Sequence, residues 1–267
     1  MKANVLNIDA EKISEIDLPK QFYEEIRPDL IHRAVLVIQS QARQQYGSYP
    51  EAGKEYSAKL SRRRRDYKTS YGHGISRVPR KTLWHRGRQF GWVGAFAPGT
   101  VGGRRAHPPK ASKIFAQKIN KKEKRKAIRS AIAATIDKNL LIKKGFSCLD
   151  NIPIIFEDKF ENISKTKELT NLFKKIGIEK EIERTKIKKI RAGKGKLRGR
   201  KYRTKKGPLI VVSKKCPLFK ALNYKGFDVC TVKSLNAELL APGTDPGRLV
   251  IWSLPAIQIL EKEKLFM

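Results

Sequence analysis

Long apolar runs are missing from this sequence. No stretch approaches the roughly 20 residues that a membrane-spanning helix needs, and the opening "MKANVLNIDAEKISEIDLP" lacks the apolar core of a signal peptide. The expected compartment is the cytoplasm, with no membrane partner. Cysteine is scarce as well. Cys148, Cys216 and Cys230 form no CxxC pair and have no histidine at metal-ligand spacing, so they read as reduced thiols rather than zinc ligands or a disulfide frame. The chain has four histidines. His32 belongs to a helical segment, while His73, His85 and His107 lie where no Asp or Glu is near in sequence to orient an imidazole. His73 and His85 lack a third ligand for a metal. No catalytic residue, no metal site and no cofactor are expected.

Negative charge is the most informative shortage. The 267 residues carry 59 lysines and arginines against 25 acids, a formal charge of +34. Self-repulsion at that charge opposes compaction, which points to a polyanionic partner. Yet 40% of the residues are hydrophobic, enough to build a core. The imbalance is local: residues 1 to 40 carry −2, residues 41 to 110 carry +13 and residues 111 to 267 carry +23. No carboxylate occurs between Asp66 and Glu123, and none between Glu183 and Asp228. Ordinary surfaces mix signs, so two one-sign tracts predict two surfaces that meet phosphate.

The first tract follows a predicted helix, "DLIHRAVLVIQSQARQQYG", with Asp29 as N-cap and an end near Gly47. Periodicity then disappears for about sixty residues. In "HRGRQFGWVGAFAPGTVGGRR", six glycines and four arginines surround Phe90, Trp92 and Phe96 without a period of 3.6 or 2.0. Nine aromatics between Tyr46 and Phe96 argue against simple disorder. Arginine, aromatic rings and glycine together suit RNA, through phosphate pairing, base stacking and close backbone approach. The segment is expected to be loose alone and ordered by RNA.

Regular structure resumes with "KKEKRKAIRSAIAATIDKNLL", read as one amphipathic helix. Ile128, Ile132, Ile136, Leu140 and Leu141 form its apolar face, and Lys121, Lys124, Arg125 and Arg129 its basic one. Short apolar runs follow, "IPIIFED", "GPLIVVS", "DVCTV" and "RLVIW", with "ANVLNI" near the start. Helical patterns such as "KTKELTNLFKKIG" and "SLPAIQILEKEKL" separate them. Strands apolar on both faces and alternating with helices predict an α/β fold, a mainly parallel sheet flanked by helices, carrying a long extended Arg/Gly/aromatic-rich internal loop. The globular RNA-binding domain is expected to be discontinuous, residues 1–46 and 111–267, with the loop at 47–110. The second acid-free tract, "KIKKIRAGKGKLRGRKYRTKKG", packs twelve lysines and arginines between Lys186 and Lys206. Its glycines match neither a dinucleotide fingerprint nor a Walker pattern. Such a density of like charge predicts phosphate as the counter-ion.

The runs "GRRAHPPK", "NKKEKRKAIRSAIAAT", "RAGKGKLRGRKYRTKKGPLIVVS" and "SLNAELLAPGTDPGRLVIW", in this order along the chain, closely resemble the family of the fourth universal protein of the large ribosomal subunit in its archaeal and eukaryotic form. The resemblance implies an α/β domain on the outer surface of the subunit. It also implies an internal loop that penetrates large-subunit rRNA and helps to line the nascent-peptide exit tunnel, a part in early assembly, contacts with neighbouring ribosomal proteins, and no enzymatic activity. Magnesium enters only as an ion of the RNA. Carried onto this sequence, the expected RNA contacts in the loop are Arg62, Arg63, Arg64, Arg65, Arg77, Arg80, Lys81, Arg86, Arg88, Arg104 and Arg105. Outside it they are Lys121, Arg125, Arg129, Lys194, Lys196, Arg198, Arg200, Lys201 and Arg203. Arg80, His85, Arg86, Phe90 and Trp92 are expected at the loop tip, near the nascent peptide. The alternatives are a basic ribosome-assembly or RNA-chaperone protein and, more distantly, an RNA-processing enzyme.

Overall fold

Apolar runs with little room for a helix become strands, and those with a 3.6-residue period become the layers that cover them. The computed structural model describes residues 1–146 and 151–267, so Cys148 lies outside the described residues. In chain order the elements begin with β1 (Lys2–Leu6), β2 (Lys12–Asp17) and α1 (Pro28–Gln41), followed by β3 (Arg80–Arg86) and β4 (Gln89–Gly94). Then come α2 (Lys121–Ala133), α3 (Lys138–Lys143), β5 (Ile154–Phe156), α4 (Thr166–Ile176), α5 (Glu179–Lys186), β6 (Lys188–Ile190) and β7 (Tyr202–Thr204). The remainder is β8 (Leu209–Val212), α6 (Leu218–Ala221), β9 (Asp228–Thr231), α7 (Ala237–Leu240), β10 (Val250–Ser253) and α8 (Leu254–Lys262). The chain divides into two compact units, one formed by Met1–Ala42 with Ala116–Met267 and the other by Arg43–Phe115.

The first unit is built on a six-stranded sheet of order β2-β1-β5-β10-β8-β9, parallel except for the β1–β2 edge pair. Its register aligns one row of side chains across five strands: Val5, Ile155, Trp252, Val211 and Cys230. That row packs under α1, α2 and α8 through Ile31, Val35, Ile128, Ile132 and Leu260. The alternate residues, Ile154, Ile251 and Ile210, face the opposite layer, where α4 contributes Leu169, Leu172 and Phe173. Both faces are dry, which is why these strands read as continuous apolar runs rather than alternating ones. Each such side chain contributes about 1.5–3 kcal/mol through burial.

Several local expectations change. Asp29 is not the N-cap of α1: Arg27 is, Pro28 takes the first helical position, and the Asp29 carboxylate pairs with the Arg27 guanidinium at 2.6 Å. The helix ends at Gln41, before Gly47. The run from Lys121 is two helices, because Thr135 turns its hydroxyl back onto the Ile132 carbonyl (2.7 Å) and Asp137 caps a new start at the Asn139 amide. Ile136 and Leu140 are consequently half-buried, while Leu141 is buried. β2 is an exposed edge strand whose polar sequence gave little signal. α5 starts just after Gly177, whose left-handed φ of +82° ends α4 and brings the buried Ile178 amide to the Phe173 carbonyl at 2.9 Å.

Candidate nucleic-acid interface

The unit Arg43–Phe115 opens with a clasp between chain leaving and chain returning. Gly47 lies against Ala111 so closely that a Cβ would stand 2.5 Å from the Ala111 nitrogen. The Ser48 amide donates to the Pro109 carbonyl at 3.0 Å. Beside it, Tyr46 and Phe115 stack with ring centroids 5.5 Å apart, and the Arg43 guanidinium lies 4.2 Å from the Phe115 centroid.

Further along, the sequence in which no period was legible forms a β-hairpin. β3 and β4 pair antiparallel around a turn at Gly87 and Arg88, with Gly87 at φ +54°, the left-handed position that a tight hairpin turn assigns to glycine. A register shift between Thr82 and Trp84 inserts Leu83 as an extra residue, and this breaks the alternation that would have announced a strand. Cross-strand pairing puts His85 opposite Phe90 and Thr82 opposite Trp92. Phe90 and Trp92 stack at 4.9 Å, Tyr67 meets Phe90 edge-on at 5.1 Å, and His73 meets Trp92 at 6.1 Å. The Tyr67 hydroxyl donates to the Gly87 carbonyl at 3.0 Å, tying this cover to the turn. The segment thus has a small aromatic core of its own.

The cations around this core have almost no acids to meet. Among the described residues, the one ion pair within the unit is Lys54 with Glu51, at 3.9 Å. Rings take the place of carboxylates: Arg77 lies over Tyr71, Arg80 over Trp92, Lys81 over Tyr56 and Arg104 over Phe96, 4.7–6.0 Å from the centroids. Cation–π contact positions a guanidinium without neutralising it. Arg62, Arg63, Arg64, Arg65, Arg77, Arg86, Arg88 and Arg105 are exposed, and Arg80, Lys81 and Arg104 are half-buried beside their rings. Of the tip residues, Arg80, His85, Phe90 and Trp92 come together on one face of the hairpin, and Arg86 flanks its turn. Tyr67 and Tyr56 belong to the same constellation but were not singled out in the sequence, and His73 was weighed there only as a metal ligand; the run of nine aromatics was the available signal.

The second acid-free tract forms another hairpin, β6 with β7, whose strand residues are all exposed. Lys188 and Lys201 flank the Tyr202 ring at 5.3 and 5.5 Å. Lys194, Lys196, Arg198, Arg200, Lys201 and Arg203 are exposed, and none is paired with a carboxylate among the described residues. Lys206 is the exception in the tract: it reaches Asp228 at 3.0 Å. Arg248, 1% exposed, reaches the same carboxylate at 2.6 Å and donates to the carbonyls of Gly207 and Leu239. Burial alone would raise the pKa of Asp228, but Arg248 and Lys206 outweigh it and hold the carboxyl below the usual carboxylate value. On α2, Lys121 is exposed, whereas Arg125 donates to the Met267 carbonyl at 2.7 Å. Arg129 is half-buried between Glu24 (2.7 Å) and the Phe266 carbonyl (2.6 Å), so it is tied into the first unit rather than left on a basic face.

No group of three metal-ligating side chains occurs among the described residues. No helix of the described residues is long and apolar enough to cross a membrane. Residues 16–263 match the model of the ribosomal protein L4/L1 family. The chain is 50% identical over 268 residues to the large ribosomal subunit protein uL4 of Nanoarchaeum equitans, covering 100% of both. It is 45% identical over 262 residues to uL4 of Archaeoglobus fulgidus, covering 97% of this chain and 98% of that one. With uL4 of Methanoregula boonei it shares 46% over 263 residues, 98% and 99% of the two chains.

Proposed function

The chain belongs to the ribosomal protein L4/L1 family, and from that membership we propose that it is a structural, non-catalytic constituent of the large ribosomal subunit. It associates there with rRNA and with other ribosomal proteins. The observation that carries the RNA contact down to residues is the set of cations in the two acid-free tracts, mostly exposed and, Lys206 apart, without a carboxylate partner among the described residues. Phosphate is the anion such side chains lack, and guanidinium groups bind it through paired, charge-assisted hydrogen bonds.

In the finer reading, Arg43–Phe115 enters the rRNA and the β3–β4 hairpin helps to line the nascent-peptide exit tunnel, with Arg80, His85, Arg86, Phe90 and Trp92 nearest the peptide. The family resemblance and the acid-free surface support this. The protein needs no cofactor of its own; magnesium accompanies the RNA. Crosslinking residues 62–105 to RNA in purified large subunits, mapped on both partners, tests the reading. Crosslinks converging on the tunnel wall are expected. Crosslinks confined to Lys186–Lys206 would leave the first unit bound to RNA and require another partner for the insertion. Retention in stoichiometric amount after a high-salt wash separates a subunit constituent from an assembly factor.

A further inference from the structure

One face of the β3–β4 hairpin is covered by Tyr67 and His73; the other is met by Tyr56 at Lys81 but is open around Trp84, and there it holds an aromatic ring in a prepared seat. Trp84 stands opposite Gly91 in the register. The indole occupies the place a side chain would take there: a Cβ on Gly91 would stand 2.5 Å from Trp84 Cε2 and 2.6 Å from Cδ1. The ring therefore lies against the backbone of β4, yet the residue remains 59% exposed. No ring of the described residues stacks on it, unlike Phe90 and Trp92 on the covered face. Lys81 and Val93, another opposite pair, share this open face with Arg86 and Gln89 at the turn end. No carboxylate occurs anywhere from residue 67 to 122.

The chemistry selects the occupant. A flat, seated indole offers a π-surface, and its surroundings offer positive charge alone. An unpaired base, flanked by its own phosphates, presents both complements in one ligand. We propose that Trp84 is a stacking platform for an unpaired nucleobase of RNA, with Gly91 as the clearance that seats the ring and Lys81 and Arg86 meeting the flanking phosphates. This rests on the ribosomal reading above and deepens it, since it assigns a base contact where that reading names phosphate contacts.

The test uses large subunits assembled with wild-type protein or with W84F, W84L or G91V, in which the nucleotide photo-crosslinked to Trp84 is probed by 2′-hydroxyl acylation. In wild-type subunits that nucleotide should be unreactive. W84F keeps a ring and should preserve the protection. W84L keeps apolar cover without a stacking face, and G91V fills the seat; both should raise reactivity roughly five-fold or more at that nucleotide. Unchanged reactivity in W84L, with the Arg86 crosslinks retained, overturns the proposal alone. So does a Trp84 that crosslinks in wild-type subunits only to protein or nascent peptide. Absence of every RNA crosslink from residues 62–105 overturns the RNA reading of the insertion and this proposal with it.

Discussion

At the scale of single residues, Arg248 decides more than its one charge suggests. It joins the carbonyls of Gly207 and Leu239 to Asp228, and through Asp228 to Lys206 at the end of the basic tract. Replacing it by methionine takes this donor from the Gly207 and Leu239 carbonyls and leaves Asp228 with Lys206 alone of the two cations. The expected cost in a urea titration is about 3 kcal/mol, the low end for breaking a buried pair, because Lys206 still reaches Asp228. Asp228 adds a pH dependence whose sign is fixed by its lowered pKa. The pair stabilises the fold fully above the pKa of the unfolded chain, about 4, and this contribution disappears as pH falls through the lower folded value. D228N should therefore be less stable at neutral pH and show a flatter loss of stability on acidification; an acid limb identical to the wild type would remove Asp228 from the acid response. Cys230, whose thiol burial pushes up to about 12, should resist thiol reagents at neutral pH until the chain unfolds. Labelling of Cys230 at the rate of an exposed thiol would contradict its place in the central row.

Among elements, the two hairpins divide the work of the basic tracts. Alanine at Lys194, Lys196, Arg198 and Arg200 should weaken RNA binding and reduce the salt slope by up to about three, with each lost phosphate contact contributing somewhat under one. An unchanged affinity and slope would place the β6–β7 hairpin off the RNA. The elements also differ in how openly the sequence declared them. β5, β8 and β10 were legible because burial on both faces leaves unbroken runs such as IIF, LIVV and VIWS. The β3–β4 hairpin was not, since the extra Leu83 breaks β3, and Gly91 occupies a strand position where a side chain would have marked the alternation. The split between α2 and α3 was hidden for a different reason: Ile136 and Leu140 keep the helical spacing although the backbone at Thr135 does not. Among the cations, exposure was legible and engagement was not. Nothing near Arg129 in sequence announces Glu24, which tertiary folding brings to it from another segment.

For the whole molecule, both hydrophobic clusters draw only on Met1–Ala42 and Ala116–Met267. Replacing Arg43–Phe115 by a short flexible linker should therefore leave a cooperative unfolding transition, while RNA affinity and its salt dependence fall. Loss of the transition would mean that the insertion contributes to the body's stability. Hydrogen exchange on the free protein should find weak protection across residues 50 to 105, strongest at the β3–β4 ladder; uniform strong protection would show an insertion ordered without RNA. The sheet order carries a consequence for synthesis. β10 lies between β5 and β8, yet it is the last strand in the chain. Until Ser253 has been made, β1 and β5 have no bridge to β8 and β9, so the sheet cannot close. The arginine-rich insertion is therefore translated long before the sheet is complete, and during that interval a newborn chain carries a stretch free of carboxylates from residue 67 to 122 beside a first unit that is still unfolded.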